Sequence, residues 1–411
     1  MKIGMVTACY KPVINGVTRM VALYKEVLEE LGHEVTVFTL GEPDPAGEDA
    51  KVVRSPAIPL GKTGYYATFG YNREARERLR EMDIIHCHHL LMSVEMAHRY
   101  GQCPIVYTNH TRYDLYTGAY IPLPQPAADA IMRQIWPEFT DYCDVIITPS
   151  ASVRDVMRDF GVRRPIRVIP NGIALEPFWH PPAPRSRASL GIPAEAIVAV
   201  YAGRLATEKS VARLLEQFAL AREVEPALHL LLIGHGPAEA DLRQQAAQLG
   251  VEDAVHFAGS VPYEEVGNYL AATDFFVTAS VSEVHPLTVI EAMAAGLPVA
   301  AVSSPGIVDT VEHGRTGYLS SSPAGLDAAM IALAANASRR REMGCTARAA
   351  SSRYDIRKTV AETVELYEEL RRTRPDLARE REHGRWGAGA ATPLVEQLAR
   401  LLRPPDRSDG G

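Results

Sequence analysis

No stretch of this 411-residue chain stays apolar for the roughly 18 residues needed to cross a bilayer, so any meeting with a membrane is expected from one side only. Cysteine is sparse. The five cysteines, Cys9, Cys87, Cys103, Cys143 and Cys345, form no C-x-x-C pair and their number is odd. That indicates neither a disulfide framework nor a zinc knuckle and fits a reducing cytoplasm. Ahead of the first strand-like run, Lys2 to Thr7, there is no apolar segment with a small-residue cleavage site, so no secretory signal is expected. A basic excess is missing as well, since the formal net charge is -7 and gives no general signal for nucleic acid. The turn Ala8 to Gly16 lacks G-x-G-x-x-G, which counts against a dinucleotide-dependent oxidoreductase. No fixed-period repeat runs along the chain.

What is present is a regular alternation of short β-branched runs and amphipathic helical stretches, the pattern of parallel strands joined by helices. After Lys2 to Thr7, the residues Val17, Met20, Val21, Tyr24, Val27, Leu28 and Leu31 recur at helical spacing, and Gly32 sits where a C-terminal cap belongs. Further strands are predicted at Glu34 to Leu40, Asp83 to His88, Pro104 to Asn109, Asp144 to Pro149 and Ile166 to Ile169. The proline-rich stretch Pro177 to Pro184 can continue neither element type and reads as a connection between domains. The alternation then restarts, with strands predicted at Ile197 to Ala202, Leu228 to Gly234, Val255 to Ala258, Asp274 to Thr278 and Pro298 to Val302. Asp355 to Leu370 reads as a long terminal helix, and from Thr373 an arginine-rich, mobile tail is expected, with a short amphipathic piece at Leu394 to Leu402. The fold expected is α/β, two doubly wound parallel sheets in domains 1–172 and 173–354. A helix at 355–372 crosses back to the first domain, and 373–411 form the tail. A cleft lined by the carboxyl ends of both sheets follows, which is where open α/β sheets bind ligands.

Four groups of residues could carry chemistry there. Glu283 lies in a loop after a strand and Glu291 in the first turns of the helix that follows, so both carboxylates can reach one ligand and accept paired hydrogen bonds from sugar and ribose hydroxyls. The alternative is a surface carboxylate plus a glutamate favoured by a helix dipole. Arg204 and Lys209, in the run Gly203 to Lys209, are cations placed to stabilise a departing diphosphate. As mere solvated charges they would oppose a helix dipole, and would need some other partner. Gly16 opens the first helix, where backbone amides can meet a phosphate. His110 stands just past a first-domain strand, as a donor to a sugar hydroxyl or as a structural hydrogen-bonder. His86, His88 and His89 raise a metal site, but strand alternation turns neighbours to opposite faces and no carboxylate lies beside them, so none is expected.

These residues resemble the retaining glycosyltransferases of family 4, which have the GT-B fold. The resemblance covers roughly Met1 to Glu369. It rests on the E-x7-E element Glu283 to Glu291 followed by Ala292-Met293-Ala294-Ala295-Gly296-Leu297-Pro298, on Gly203-Arg204-Leu205 with Glu208-Lys209, on Pro170-Asn171-Gly172-Ile173, on Ile233-Gly234-His235-Gly236-Pro237 and on Gly314-Arg315-Thr316-Gly317-Tyr318. It implies that Glu283 binds the donor sugar with Leu287 and Thr288 beside it, Glu291 the ribose, and Arg204 and Lys209 the diphosphate. Gly16 would present its amide to phosphate, His110 would lie beside the transferred sugar, and Gly234, Gly236, Ser260 and Val261 would wall the base pocket. No cofactor or metal is implied beyond the nucleotide sugar as co-substrate.

Where the family often has Gly-Phe-Pro, this chain has Val284-His285-Pro286, which puts the donor sugar in doubt because that loop is expected to face it. His110 to Pro122 resembles the tyrosine-rich segment of bacterial diacylglycerol glucosyltransferases, and implies Tyr113, Tyr116 and Tyr120 as acceptor contacts. Arg154, Arg158, Arg163, Arg164 and Arg167 could touch an anionic membrane surface, unless Asp155 and Asp159 neutralise them. The expectation is therefore a hexosyltransferase of glycolipid synthesis, passing a hexose from UDP-glucose or a similar donor to a diacylglycerol-type lipid at the cytoplasmic membrane face. A GDP-mannose-dependent or other transferase with a soluble sugar or polyisoprenoid acceptor, and a nucleotide-sugar-binding protein without turnover, are the rivals.

Overall fold

The computed structural model describes residues 1–45, 47, 49–59, 66–68, 70–115 and 124–373. The expectations for Tyr116, Tyr120 and the tail beyond Thr373, including Leu394 to Leu402, lie outside these residues.

The first sheet has seven parallel strands: β1 (Lys2–Val6), β2 (Glu34–Leu40), β3 (Val52–Ser55), β6 (Ile84–Cys87), β7 (Ile105–Thr108), β8 (Val145–Thr148) and β9 (Ile166–Val168), in the spatial order β3-β2-β1-β6-β7-β8-β9. A two-stranded antiparallel hairpin, β4 (Ile58–Pro59) with β5 (Tyr66–Ala67), stands apart from it. The second sheet has six parallel strands: β10 (Ile197–Ala202), β11 (Leu228–Ile233), β12 (Val255–Gly259), β13 (Phe275–Thr278), β14 (Val299–Val302) and β15 (Gly317–Ser320), in the order β12-β11-β10-β13-β14-β15. Central strands such as Val145–Thr148 and Phe275–Thr278 are buried at every residue. Helices therefore cover both sheet faces, which is why these strands are continuous apolar runs rather than alternating ones.

The first helix, Gly16–Glu30, starts where Asn15 accepts from Thr18 N at 2.9 Å and Thr18 Oγ1 in turn accepts from Asn15 N at 3.0 Å, a capping box that satisfies two orphan amides. It ends before Gly32, whose φ of +81° suits a left-handed cap. The terminal helix, Ile356–Thr373, returns to this first domain as expected. Its Ile356, Val360, Leu366 and Tyr367 join the apolar cluster of Val17, Met20 and Val21 from the first helix. Two polar contacts fix its rotation: Tyr24 Oη meets Thr363 Oγ1 at 3.2 Å, and Tyr367 Oη meets His86 Nδ1 at 2.5 Å.

The chain leaves the first sheet at Asn171-Gly172-Ile173 and comes back at Tyr354 to Ile356, and the two crossings are bonded together. Ile173 N donates to Tyr354 O at 2.8 Å and Ile356 N to Ile173 O at 3.0 Å. A Cβ on Gly172 would fall 2.5 Å from Ile356 Cα, so only glycine lets the two strands of the crossing come this close. Serines hold the domains a second time: Ser150 Oγ donates to Val284 O at 2.9 Å, and Gly306 N donates to Ser152 Oγ at 2.8 Å. No helix among the described residues is long and apolar enough to cross a membrane.

Two expectations need correction. Pro177 does not break the chain but sits in the first turn of a short helix, Glu176–Trp179, where its missing N–H costs nothing. Strands β3 and β15 and the hairpin were not anticipated. Each is short and lies at a sheet edge or outside the sheets, with charge, glycine or proline in it, so the apolar run that marks a central strand is missing.

Candidate active site

The second-domain wall of the cleft begins where β10 ends. Gly203 turns the chain with φ +153°, Leu205 anchors the loop in the core, and a short 3-10 turn at Thr207–Lys209 aims Lys209 across the loop after β13. Lys209 Nζ reaches Glu283 Oε1 at 2.7 Å, and Ser280 Oγ donates to the same oxygen at 2.7 Å. Burial pushes the Glu283 carboxyl up, but the Lys209 ammonium and the Ser280 hydroxyl outweigh it and hold the group below its ordinary range, so it is ionised at neutral pH. Arg204 is more loosely held. Its side chain is 55% exposed, with Glu208 at 3.8 Å, so it can swing onto an incoming anion. The cations of this loop thus have the partners that a place near a helix start demands, and Lys209 finds its partner in the predicted sugar-binding carboxylate.

Close backbone packing explains the glycines around this loop. A Cβ on Gly234, at φ +134°, would lie 1.9 Å from Gly203 O, and one on Gly236 would lie 2.2 Å from Leu205 O. Gly306, which sequence reasoning missed, plays the same part behind Glu283: its φ is +87° and a Cβ there would lie 2.4 Å from Val284 O. The Pro305-Gly306 pair was the available signal.

Glu291 is differently placed. It lies in the helix Leu287–Ala294 with 1% of its side chain exposed, and Arg19 of the first domain reaches its Oε1 at 3.0 Å. The Arg19 guanidinium also lies over the ring of Tyr263. Burial raises the Glu291 carboxyl above its ordinary range, with Arg19 pulling the other way, and burial lowers Arg19 in turn. The contact is poorly aligned, since neither Glu291 Oε1 nor Arg19 Nη2 has a proper hydrogen bond. Gly16, one turn before Arg19, faces the same helix: a Cβ on it would come 4.0 Å from Leu287 Cδ1. Arg19 is the second residue missed, because in the sequence it is one more charge on the polar side of an amphipathic helix.

Apart from Arg19, the side chains of the first-domain wall are histidines held neutral. His110 Nε2 and His88 Nδ1 share a hydrogen bond of 3.1 Å with their rings stacked. Burial drives the His110 pKa down to about 3 and that of His88 well below its ordinary value, so both rings are uncharged at neutral pH. His86 is bonded through Nδ1 to Tyr367 and through Nε2 to Thr108 Oγ1 at 2.6 Å, and His89 Nδ1 lies 3.0 Å from Thr7 Oγ1. Their ring nitrogens serve the fold, and among the described residues no group of three His, Cys, Asp or Glu is arranged to hold a metal.

Comparison with known proteins gives this cleft its family. Residues 14–177 match the Glycosyltransferase Family 4 domain and residues 183–350 the Glycosyl transferases group 1 domain. The alpha-monoglucosyldiacylglycerol synthase of Streptococcus pneumoniae is 31% identical over 332 residues, 78% of this chain and 75% of the relative. The enzyme of the same name from Acholeplasma laidlawii is 31% identical over 338 residues, 77% and 84% of the two chains. This chain is a family 4 glycosyltransferase.

Other relatives of the transferase act under a different name: the D-inositol 3-phosphate glycosyltransferase of Streptomyces avermitilis is 31% identical over 254 residues, 58% of this chain and 54% of the relative. Solved structures agree on the GT-B fold. Anabaena HepE, in complex with UDP and glucose, superposes with TM-score 0.70 at 20% identity, over 90% of this chain and 100% of its own. Sucrose-phosphate synthase of Thermosynechococcus elongatus gives 0.73 at 22%, over 90% and 99%.

The remaining expected residues of the transferase fall into two sets. Leu287 and Thr288 open the helix that carries Glu291, partly exposed, and Ser260 and Val261 follow the end of β12 beside the Gly234 turn, which is bonded to Gly259 O at 2.8 Å. The second set is Tyr113. Its hydroxyl accepts from Leu90 N at 3.2 Å and its ring meets Trp136 edge-on, so the half-buried side chain braces the His110 loop. His285 also departs from expectation. Glu283 is held by Lys209 and Ser280, while the His285 ring is buried and meets Tyr354 edge-on. The arginine cluster is largely paired, Arg154 with Asp155, Arg164 with Asp141 and Arg167 with Glu369, so Asp141 and Glu369 do what was expected of Asp159.

Proposed function

We propose that this transferase moves a hexose, with retained anomeric configuration and without a metal, from UDP-glucose to a diacylglycerol-type lipid at the cytoplasmic face of the membrane. The observation that carries the reading is the ion pair of Lys209, on the loop that also bears the exposed Arg204, with an ionised Glu283. Diphosphate oxygens can take Lys209 and Arg204 as counter-charges, and a hexose hydroxyl can donate to Glu283, so both ends of the scissile bond are held from one wall. The acceptor oxygen forms its bond to C1 on the face from which the diphosphate oxygen departs, and the acceptor proton passes to that departing phosphate. The two cations stabilise charge that is larger in the transition state than in the bound donor. Glu291 accepts from the ribose, for which Arg19 is a competitor, and Gly234, Gly236, Ser260 and Val261 surround the base. His110 lies beside the hexose.

Support for the lipid acceptor comes from the names of the two relatives that span most of the chain. The D-inositol 3-phosphate relatives favour a soluble acceptor as the second reading. Release of nucleotide diphosphate from UDP- and GDP-sugars, offered diacylglycerol in liposomes or inositol phosphate in solution, tests both. Release with UDP-glucose and diacylglycerol alone supports the proposal, whereas turnover with only the soluble acceptor, or donor consumption with no acceptor dependence, refutes it.

A further inference from the structure

His86 and His88 lie two residues apart at the end of β6 and so share one face of the strand, on which their rings sit 4.2 Å apart and Tyr24 abuts both edge-on. The two differ in how their nitrogens are used. His86 has a partner for each, Tyr367 and Thr108, and is a structural tie. His88 has one partner, His110 Nε2, while its own Nε2 is buried without any among the described residues.

We infer that His88 is a positioning residue for His110: it donates its Nδ1–H to His110 Nε2, and so fixes His110 in the tautomer whose only N–H, on Nδ1, is offered to the cleft. The inference rests on the proposed place of His110 beside the hexose. A neutral imidazole carries one N–H and one acceptor nitrogen. If the His88 proton sat on Nε2, a buried N–H would have no acceptor, and orphaned buried N–H groups are the rarer defect. With the proton on Nδ1 the uncompensated atom is only a lone pair. His110 Nε2 must then accept. Its Nδ1 has no hydrogen-bond partner among the described residues, and the residue as a whole is only partly buried. The consequence for the reaction is specific. His110 can give a hydrogen bond to a hexose hydroxyl or phosphate oxygen but has no lone pair facing the cleft, so it cannot take the acceptor's proton, in keeping with transfer of that proton to the departing phosphate.

Protein labelled with 15N-histidine reports the tautomer directly through the ring nitrogen shifts. The expected result is a protonated Nδ1 and an unprotonated Nε2 for His110 in the full-length protein. His88→Asn, whose amide can replace the Nδ1–H donor, keeps that tautomer and stays within about threefold of normal turnover. His88→Leu gives a mixed tautomer and a kcat lowered about fivefold to tenfold, the worth of one neutral hydrogen bond, with the KM for donor unchanged. A wild-type His110 protonated on Nε2 overturns the inference, and so does an unaltered tautomer with full turnover in His88→Leu. Should that variant not fold, the wild-type spectrum decides alone. Full activity of His110→Ala would instead sink the placement of His110 itself, whatever its tautomer.

Discussion

The second-domain wall of the cleft is charged, and the first-domain wall, apart from Arg19, is uncharged. On one side Lys209, Arg204 and an ionised Glu283 sit on loops pinned by close glycine contacts. On the other, His88 and His110 are kept neutral by burial and share a hydrogen bond. The difference matches the division of labour in the proposed reaction, where a leaving diphosphate is stabilised by fixed charge and a hexose is oriented by directional hydrogen bonds. The same contrast recurs between the two carboxylates of E-x7-E. Glu283 is depressed by a partner in its own domain, while Glu291 is raised by burial and leans on an arginine from the other.

The largest expected effect falls on the charged wall. Lys209→Ala and Arg204→Ala each lower kcat by about a hundredfold or more, the scale of losing one transition-state donor, as read by nucleotide release at saturating donor. Normal turnover in either would erase the contrast between the walls. Next comes Glu291→Gln, which replaces one of the carboxyl oxygens proposed to accept from the ribose with an amide nitrogen and raises the donor KM about tenfold with a smaller change in kcat. An effect on kcat alone would move Glu291 out of the ribose site. Smaller again is Arg19→Met. The folded pKa of Glu291 already lies above its unfolded value, so that group's contribution to stability is present at low pH and is lost as pH rises through the folded value. Without Arg19 the loss grows, and the variant melts about 2–4 °C below wild type at pH 8 for each kcal/mol lost, with less deficit at pH 5. Equal deficits at both pH values would contradict this coupling. The smallest effect expected is none: activity persists in excess EDTA, and its complete loss there would reveal a metal requirement.

The central strands and the long helices were legible because buried parallel strands and amphipathic helices leave periodic apolar signatures, as in Leu228–Ile233 and Gly16–Glu30. The second-domain wall was legible too, since its residues cluster in short loop motifs where one glycine or one charge has a local reason. Contacts made across the fold were not. Nothing near Arg19 in the sequence indicates Glu291, and nothing near Ser150 and Ser152 indicates Val284 and Gly306. The expectation that His86, His88 and His89 form no metal site rested on strand alternation, but that same alternation puts His86 and His88 side by side, which was the missed clue to the His110 contact. The contact of the Tyr113 hydroxyl with Leu90 N was not legible either, because nothing in the sequence near either residue indicates the other.

A crystal structure of the protein with UDP bound is the most direct test of the convergence of these groups on one nucleotide diphosphate. The account predicts phosphate oxygens within hydrogen-bonding distance of Arg204 and Lys209, the ribose on Glu291, and Arg19 moved off that carboxylate. A nucleotide bound elsewhere, with Arg19 still on Glu291 and Lys209 remote from phosphate, would contradict it.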